Sequence, residues 1–294
     1  MKERIFQGVG TALITPFRQE GIDWDAFERL IEFQLENGVD ALVAAGTTGE
    51  SSVLTAEEYR ELIAFVVRVT KGRVPVIAGS GANNTAAAIE KTRLACQLGA
   101  DAVLLVTPYY NKTTQRGLVA HYRAIADASD RPCILYNVPV RTGLNMKAET
   151  AAILADHPRI AAVKEASGDI SQVAKIRALC GDRLDVYSGC DDQTVPILSL
   201  GGAGVISVAA NVLPGQMSRL CDAWFAGEAA RAAEIHLKLL AVMNQLMSET
   251  NPIPVKAACA HLGLGENRLR LPLVPMEKEN EEKLIHLLEE AQKI

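Results

Sequence analysis

Short apolar segments alternate with longer amphipathic segments along this chain, and the alternation repeats eight times. Each apolar segment precedes a stretch with apolar residues at helical spacing, as Phe27, Leu30 and Ile31 show after the first. Strands that are apolar throughout are typical of parallel sheets covered by helices. The eight units therefore predict an α/β fold, a (β/α)8 TIM barrel. Its predicted strands lie in residues 8–15, 40–46, 74–80, 101–108, 132–139, 160–167, 184–189 and 204–209.

An open, doubly wound sheet is the alternative architecture. It would need a glycine-rich dinucleotide-binding turn after the first strand, where the chain reads TALITPF. After the last predicted strand the pattern changes to helices alone. We therefore expect a barrel over residues 1–226 and a C-terminal helical extension over residues 227–294. The apolar faces of that extension should pack against the barrel or against a second subunit.

Composition excludes several classes of function. A net charge of −5 offers no basic surface for a nucleic acid. No apolar run approaches the ~18 residues that span a bilayer, and the N-terminal residues do not resemble a signal peptide. These observations predict a cytoplasmic protein with no membrane partner. The six cysteines and five histidines show no metal-binding spacing and no arrangement typical of a histidine-based triad.

Lys164 is the residue that most directly indicates chemistry. It is the only one of twelve lysines inside a predicted strand, IAAVKEAS. Burial disfavours the charged ammonium and lowers the pKa of a lysine. The neutral amine is a nucleophile that forms a Schiff base with a carbonyl. The alternative is a lysine at the strand end that turns to solvent or pairs with Glu165.

Other reactive side chains follow the predicted strands, at the end of the barrel where such enzymes carry their sites. They occur in GTTGE at 46–50, TPYYN at 107–111 and YNVPVRTG at 136–143. An imine of a 2-oxo acid becomes an enamine, and tyrosines bridged by a threonine hydroxyl can move the protons involved. The GTTG turn can bind the carboxylate of the oxo acid, and Arg141 can bind a carboxylate on the electrophile. Alternatively, these residues are turn hydroxyls, a core aromatic and a surface arginine.

Two motifs that the sequence lacks narrow the class of reaction. The sequence shows no metal-binding cluster, which favours imine chemistry over a metal-dependent aldol reaction. It also shows no glycine-rich phosphate-binding loop after the last two predicted strands, which disfavours a phosphorylated substrate.

The motifs GTTGE, VTPYYN, YNVPVRTG, VKEASGD, YSGCDD and GVISV resemble those of the pyruvate-dependent lyases of the dihydrodipicolinate synthase and N-acetylneuraminate lyase superfamily. The resemblance runs from about residue 4 to residue 225, and the helical extension fits it. It implies condensation of pyruvate with L-aspartate 4-semialdehyde in lysine and diaminopimelate biosynthesis, without a cofactor. A lyase for a sugar-derived 2-oxo acid and a non-catalytic barrel that binds oxo acids are the alternatives. The RTG sequence favours the semialdehyde.

The resemblance also implies roles for individual residues. Lys164 would form the imine with pyruvate, and Tyr136 would act as general acid and base. Thr48 would be the middle hydroxyl of a proton relay that Tyr110 completes from a neighbouring subunit. A relay of this kind makes dimerisation a condition for activity, and the family is commonly a homotetramer built from two tight dimers.

A second group of residues would bind the substrates. By the same resemblance, Thr47 and Thr48 would hold the pyruvate carboxylate, and Arg141 would bind the carboxylate of the semialdehyde. Gly189 and Ile206 would contribute main-chain carbonyls near the lysine.

The chain departs from the lysine-inhibited members of this family in two helices. Those members carry histidines after GTTGES and a glutamate after GAN, where this chain has Ala56, Tyr59 and Ala87. Three residues of the pattern are kept, namely Ser51, Asn83 and Tyr109. Since the groups that would bind the amines of lysine are largely missing, we expect weak or no inhibition by lysine.

Overall fold

Eight parallel strands close into a barrel in the computed structural model, which describes residues 2–294. The strands, including a small hairpin formed by the second and third, are β1 Gly8–Ala12, β2 Phe17–Arg18, β3 Gly21–Ile22, β4 Ala41–Ala44, β5 Val76–Gly79, β6 Ala102–Val106, β7 Cys133–Asn137, β8 Ile160–Glu165, β9 Asp185–Ser188 and β10 Gly204–Ser207. Around the barrel the order is β1, β10, β9, β8, β7, β6, β5, β4, and β4 pairs with β1. The predicted TIM barrel is confirmed, and the open sheet is excluded.

Helices follow the barrel strands and surround them. In the described part of the chain they are α1 Trp24–Glu36, α2 Ala56–Thr70, α3 Thr85–Gln97, α4 Gln115–Asp127, α5 Pro139–Thr142, α6 Ala148–Ala155, α7 Ile170–Cys180, α8 Thr194–Ser199, α9 Pro214–Phe225, α10 Ala229–Gln245, α11 Ile253–His261 and α12 Lys278–Ala291. Helix α2 begins with a capping box, in which Thr55 and Glu58 satisfy each other's backbone N–H groups. None of the helices within residues 2–294 has both the length and the apolar character needed to cross a bilayer.

The core has two layers, because successive side chains of a strand point to opposite faces. One layer lies between the strands and the surrounding helices and includes Leu42, Leu105 and Val163. The other fills the inside of the barrel and includes Ile77 and Ile134. All six residues of β8 are buried. The side chains of β8 that point inward therefore lie in the interior of the barrel.

Aromatic side chains close the N-terminal end of the barrel. The rings of Phe6 and Tyr187 stack with centroids 4.2 Å apart, and the Tyr187 hydroxyl donates to the Phe6 carbonyl at 2.6 Å. With this end filled, the C-terminal ends of the strands are left as the place for a binding site.

The helices after α9 fold back onto the barrel. Helix α10 packs against α9 and α12, and α11 packs against α12 and against the short segment Ala209–Asn211 that follows β10. Seven consecutive residues of α11, from Ile253 to Cys259, are buried. Much of the apolar surface of these helices is therefore covered within a single chain, with Leu237 of α10 left exposed. A domain boundary at residue 226 stays a prediction.

Candidate active site

Lys164 points into the barrel from β8. Its side chain is 5% exposed, and it lies beside Tyr136 of β7 and Tyr187 of β9 in the strand register. The next residue, Glu165, points to the opposite face, where its carboxylate accepts hydrogen bonds from the side chains of Asn137 and Gln172 at 3.0–3.1 Å. The predicted burial of Lys164 is confirmed, and the alternative pairing with Glu165 is wrong, because strand alternation separates the two side chains.

The surroundings of Lys164 raise the fraction of its amine that is neutral. Burial lowers the pKa of Lys164 to about 8; the negative charge of Asp191 opposes this shift, and the positive charge of Arg141 assists it. The Nζ atom lies 4.5 Å from the centroid of the Tyr136 ring. A pKa near 8 leaves a usable fraction of free amine at neutral pH, which an ordinary lysine lacks.

Gly189 lies against the same lysine. A Cβ atom at position 189 would lie 3.1 Å from the Cε atom of Lys164 and 2.7 Å from the Cβ atom of Ala166. The residue after β9 therefore has to be small for Lys164 to keep its position. Ile206 of β10 is buried in the same inner layer as Tyr136. The roles expected for the carbonyls of Gly189 and Ile206 stay predictions.

Tyr136 is buried inside the rim of the barrel with its phenol protonated at neutral pH. Burial raises the pKa of Tyr136 to about 12, while the charge of Arg141 and a side-chain hydrogen bond with Thr47 lower it. Thr47 and Tyr136 line the same small cavity. A protonated phenol bonded to a second hydroxyl can donate a proton inward and be resupplied from outside.

Thr48 has its own partner, which lies in the helical extension. Its hydroxyl is buried and accepts a hydrogen bond from Nδ2 of Asn251 at 3.0 Å. The reason is local. Successive residues of the turn project in different directions, so Thr47 faces Tyr136 and Thr48 faces the helical extension. The role of Thr48 as the middle hydroxyl of the relay stays a prediction, and Thr47, which lines the same small cavity as Tyr136, is the neighbouring hydroxyl that could take that role.

Arg141 lies at the outer edge of the site, in the short helix α5. It is exposed, and its guanidinium donates to the carbonyl of Asn251 at 3.0 Å. Asn251 therefore contacts both Thr48 and Arg141. A cavity of about 140 Å³ next to these residues is lined by Thr47, Arg141 and Asn251.

Tyr110 stands apart from the other predicted residues. Its side chain is 92% exposed, and its backbone has φ +68°, in the left-handed region that non-glycine residues seldom adopt. The chain thus brings Lys164, Tyr136 and Thr47 together, and presents Tyr110 on its surface.

Sequence reasoning missed two residues of this region. Asn251 comes from the helical extension, and no pattern within the barrel indicates it. Asp191 is buried, and its carboxylate accepts from the backbone N–H groups of Val208 and Ala209 at 3.1 and 2.9 Å. Its position just after β9, in the segment YSGCDD, is the signal that could have identified it.

Comparison with known proteins agrees with this fold. The chain matches the sequence model of the dihydrodipicolinate synthetase family over residues 5–291. The 4-hydroxy-tetrahydrodipicolinate synthase of Clostridium perfringens is 52% identical over 276 residues, which cover 94% of this chain and 95% of that protein.

Two solved structures are similar to this chain in fold. Dihydrodipicolinate synthase from Thermotoga maritima has a TM-score of 0.97 at 45% identity, covering 99% of this chain and 100% of that one. The chloride-inhibited dihydrodipicolinate synthase from Acinetobacter baumannii, complexed with pyruvate, has a TM-score of 0.96 at 44% identity, covering 98% and 99% of the two chains.

A parallel barrel with reactive side chains at the C-terminal ends of its strands defines a TIM-barrel enzyme, here a lyase. The chain belongs to the dihydrodipicolinate synthetase family. The two alternatives, a sugar-acid lyase and a non-catalytic barrel, are not favoured, because relatives at about half identity are named as this synthase.

Proposed function

We propose that this enzyme condenses pyruvate with L-aspartate 4-semialdehyde through an imine on Lys164, giving 4-hydroxy-tetrahydrodipicolinate. The observation that carries the proposal is a lysine buried inside the barrel with a lowered pKa, beside a protonated tyrosine. The related protein from Acinetobacter baumannii was solved with pyruvate, which supports pyruvate as the first substrate.

The reaction begins when the neutral amine of Lys164 attacks C2 of pyruvate. The tetrahedral adduct loses its oxygen as water and leaves a protonated imine, which needs a proton donor at that oxygen. Tyr136 lies beside the amine and is protonated at neutral pH, so it fits this role. Loss of a methyl proton then gives the enamine, whose carbon attacks the aldehyde of the semialdehyde.

Ring closure completes the reaction. The amino group of the semialdehyde moiety attacks the imine carbon, and the Lys164 amine leaves. No cofactor is required, because the protonated imine itself withdraws electrons from the adjacent carbon. This step again moves protons at Tyr136, which must exchange them with solvent.

In our proposal the proton path runs outward through Thr47, which lines the same small cavity as Tyr136 and lowers the pKa of its phenol. In our proposal Tyr110 of a neighbouring subunit forms the outer end of this path. The exposure of Tyr110 supports this arrangement, because a tyrosine that is 92% exposed on one chain is free to enter the site of another. Dimers of this kind would pair into the expected homotetramer.

The two carboxylates of the substrates have separate partners. The GTTG turn, with Thr47 and Thr48, would bind the carboxylate of pyruvate close to Lys164. Arg141, at the outer edge, would bind the carboxylate of the semialdehyde with its planar guanidinium. The cytoplasm is the compartment we propose, and all six cysteines being free fits a reducing environment.

The proposal is tested by trapping the imine. Incubation of the protein with pyruvate and borohydride should add one reduced pyruvate unit to Lys164, located by mass spectrometry of peptides. Lys164→Ala should show neither the adduct nor turnover. Consumption of pyruvate should require L-aspartate 4-semialdehyde and should not occur with N-acetylmannosamine. An unlabelled Lys164 in an active enzyme would disprove the imine.

A further inference from the structure

A buried ion pair joins the helical extension to the GTTGE turn. The ammonium of Lys256 in α11 contacts the carboxylate of Glu50, the last residue of that turn. Among the ion pairs of residues 2–294, this is the one in which both side chains are fully buried, at 0% and 1% exposure. Burial lowers the pKa of Lys256 to about 8, and Glu50 opposes this, so the amine is still mainly protonated at neutral pH.

Every other contact of the pair also fixes its position. Lys256 donates to the carbonyl of Arg268 at 2.7 Å and lies 4.1 Å from the centroid of the Phe17 ring. The second carboxylate oxygen of Glu50 accepts the backbone N–H of Arg270 at 3.0 Å. The Arg270 guanidinium lies 4.2 Å from the centroid of the Phe17 ring and pairs with Glu58 of α2. The carboxylate of Glu50 is thus bound by two groups of the extension.

The turn itself depends on Glu50. Its backbone has φ +52°, in the left-handed region, and its N–H donates to the carbonyl of Thr47 at 3.0 Å. A displaced Glu50 would therefore displace Thr47, which lies next to Tyr136. It would also displace Thr48, which lies two residues before Glu50 in the turn. The ion pair therefore connects α11 to the hydroxyls of Thr47 and Thr48 through Glu50 and the backbone of the turn.

Stability alone does not explain such a pair. Replacing a buried ion pair by apolar side chains of similar size is often neutral or stabilising, whereas removing one partner is costly. An ion pair fixes the position of its groups, whereas an apolar pair does not. The carboxylate of Glu50 can reach both of its donors in one location only. We infer that Glu50 and Lys256 are positioning residues, which set Thr47 and Thr48 for pyruvate from the helical extension. This inference rests on the proposed function of the turn.

Four variants test the inference. Lys256→Met and Glu50→Gln each break the pair, and the double variant E50Q/K256M removes both charges. Lys238→Met is the matched control, because it removes a lysine from an exposed ion pair with Glu234 on α10. We expect the single variants to lose thermal stability, and we expect the double variant to recover most of it.

Kinetics separate positioning from a purely structural role. In the double variant we expect kcat/KM for pyruvate to fall by ~10- to 100-fold, with a raised KM, because small displacements near reacting groups have effects of this size. Hydrogen–deuterium exchange of the amides of residues 49–51, which donate to carbonyls within the turn, should accelerate. The control should match the wild type in both measurements.

Wild-type kinetics and wild-type exchange in the folded double variant would overturn the inference. Failure of the proposed function is a separate result, seen as an absent pyruvate adduct on wild-type Lys164. In that case the exchange of the turn still decides whether Glu50 and Lys256 position it.

Discussion

Lys164 is both buried and titratable, and these two properties conflict in an ordinary protein interior. It is a titratable amine with 5% exposure, and its ammonium lies over the face of the Tyr136 ring. Burying a charge of this kind costs free energy, which the lowered pKa of Lys164 expresses. The same cost produces the nucleophile, because it raises the fraction of neutral amine.

The pH dependence of imine formation follows from that pKa. With the pKa of Lys164 lowered to about 8 from 10.5, the neutral fraction should rise ~10-fold per pH unit below pH 8 and level off above it. The initial rate of pyruvate adduct formation, trapped with borohydride between pH 6 and about 10, should show this profile. A rate that keeps rising up to pH 10 would mean an ordinary lysine.

Removing the buried amine should stabilise the fold while abolishing activity. We expect Lys164→Met to raise the free energy of unfolding by ~1–3 kcal/mol at pH 7, because a side chain of similar length no longer carries a charge. The pKa of Lys164 is lower in the folded chain than in the unfolded one, so the penalty is complete below pH 8. It is relieved as pH rises towards 10.5, and the stabilisation should shrink over that window.

Denaturant unfolding of the variant and the wild type at pH 7 and about 10 measures this difference. Lys175→Met, at an exposed lysine of α7 outside the site, is the control. A variant that is less stable than the wild type at pH 7 would contradict the interpretation.

At the scale of elements, the ends of the strands could be predicted and the details of the turns could not. Alternating segments identified all eight barrel strands, and the position of Lys164 inside an apolar segment indicated its burial, because both depend on local hydrophobic patterns. Which of Thr47 and Thr48 meets Tyr136 depends on the turn conformation, in which Ala45 and Glu50 have positive φ. Neither residue is a glycine, so the sequence carried no signal for it.

Helices α2 and α3 carry the residues for which we expect weak or no inhibition of this enzyme by lysine. Tyr59 of α2 is 2% exposed, and the ammonium of Lys91 in α3 lies 5.0 Å from the centroid of its ring. A further ammonium near this place would be repelled by Lys91. A titration of the purified enzyme with L-lysine should leave pyruvate consumption nearly unchanged in the millimolar range. Half-inhibition at submillimolar lysine would overturn this expectation.

At the scale of the whole molecule, the site draws on parts of the chain that are distant in sequence. Asn251 of the extension contacts Thr48 and Arg141, more than a hundred residues away from either. Such contacts arise from how α10 and α11 fold back over the barrel, and a pattern read along the sequence cannot supply them. The same limit applies across subunits, since Tyr110 is 92% exposed on a single chain.

The shared proton path predicts a specific result for mixed oligomers. Lys164→Ala keeps Tyr110, and Tyr110→Phe keeps Lys164, so each variant alone should be impaired, the second by ~10²-fold or more. If Tyr110 acts across a two-fold interface, a mixed dimer contains one complete site. Equal co-expression should then restore about a quarter of the wild-type activity, because half of the dimers are mixed and each has one working site of two.

The reverse arrangement makes the test decisive. A chain that carries both substitutions, co-expressed equally with the wild type, should leave only about a quarter of the activity, because the wild-type subunit of each mixed dimer receives a phenylalanine from its partner in place of Tyr110. If Tyr110 acts within its own chain, this mixture retains about half, and the first mixture gains nothing. Steady-state rates of the two mixtures therefore distinguish a site completed by a neighbour from one that a single barrel contains.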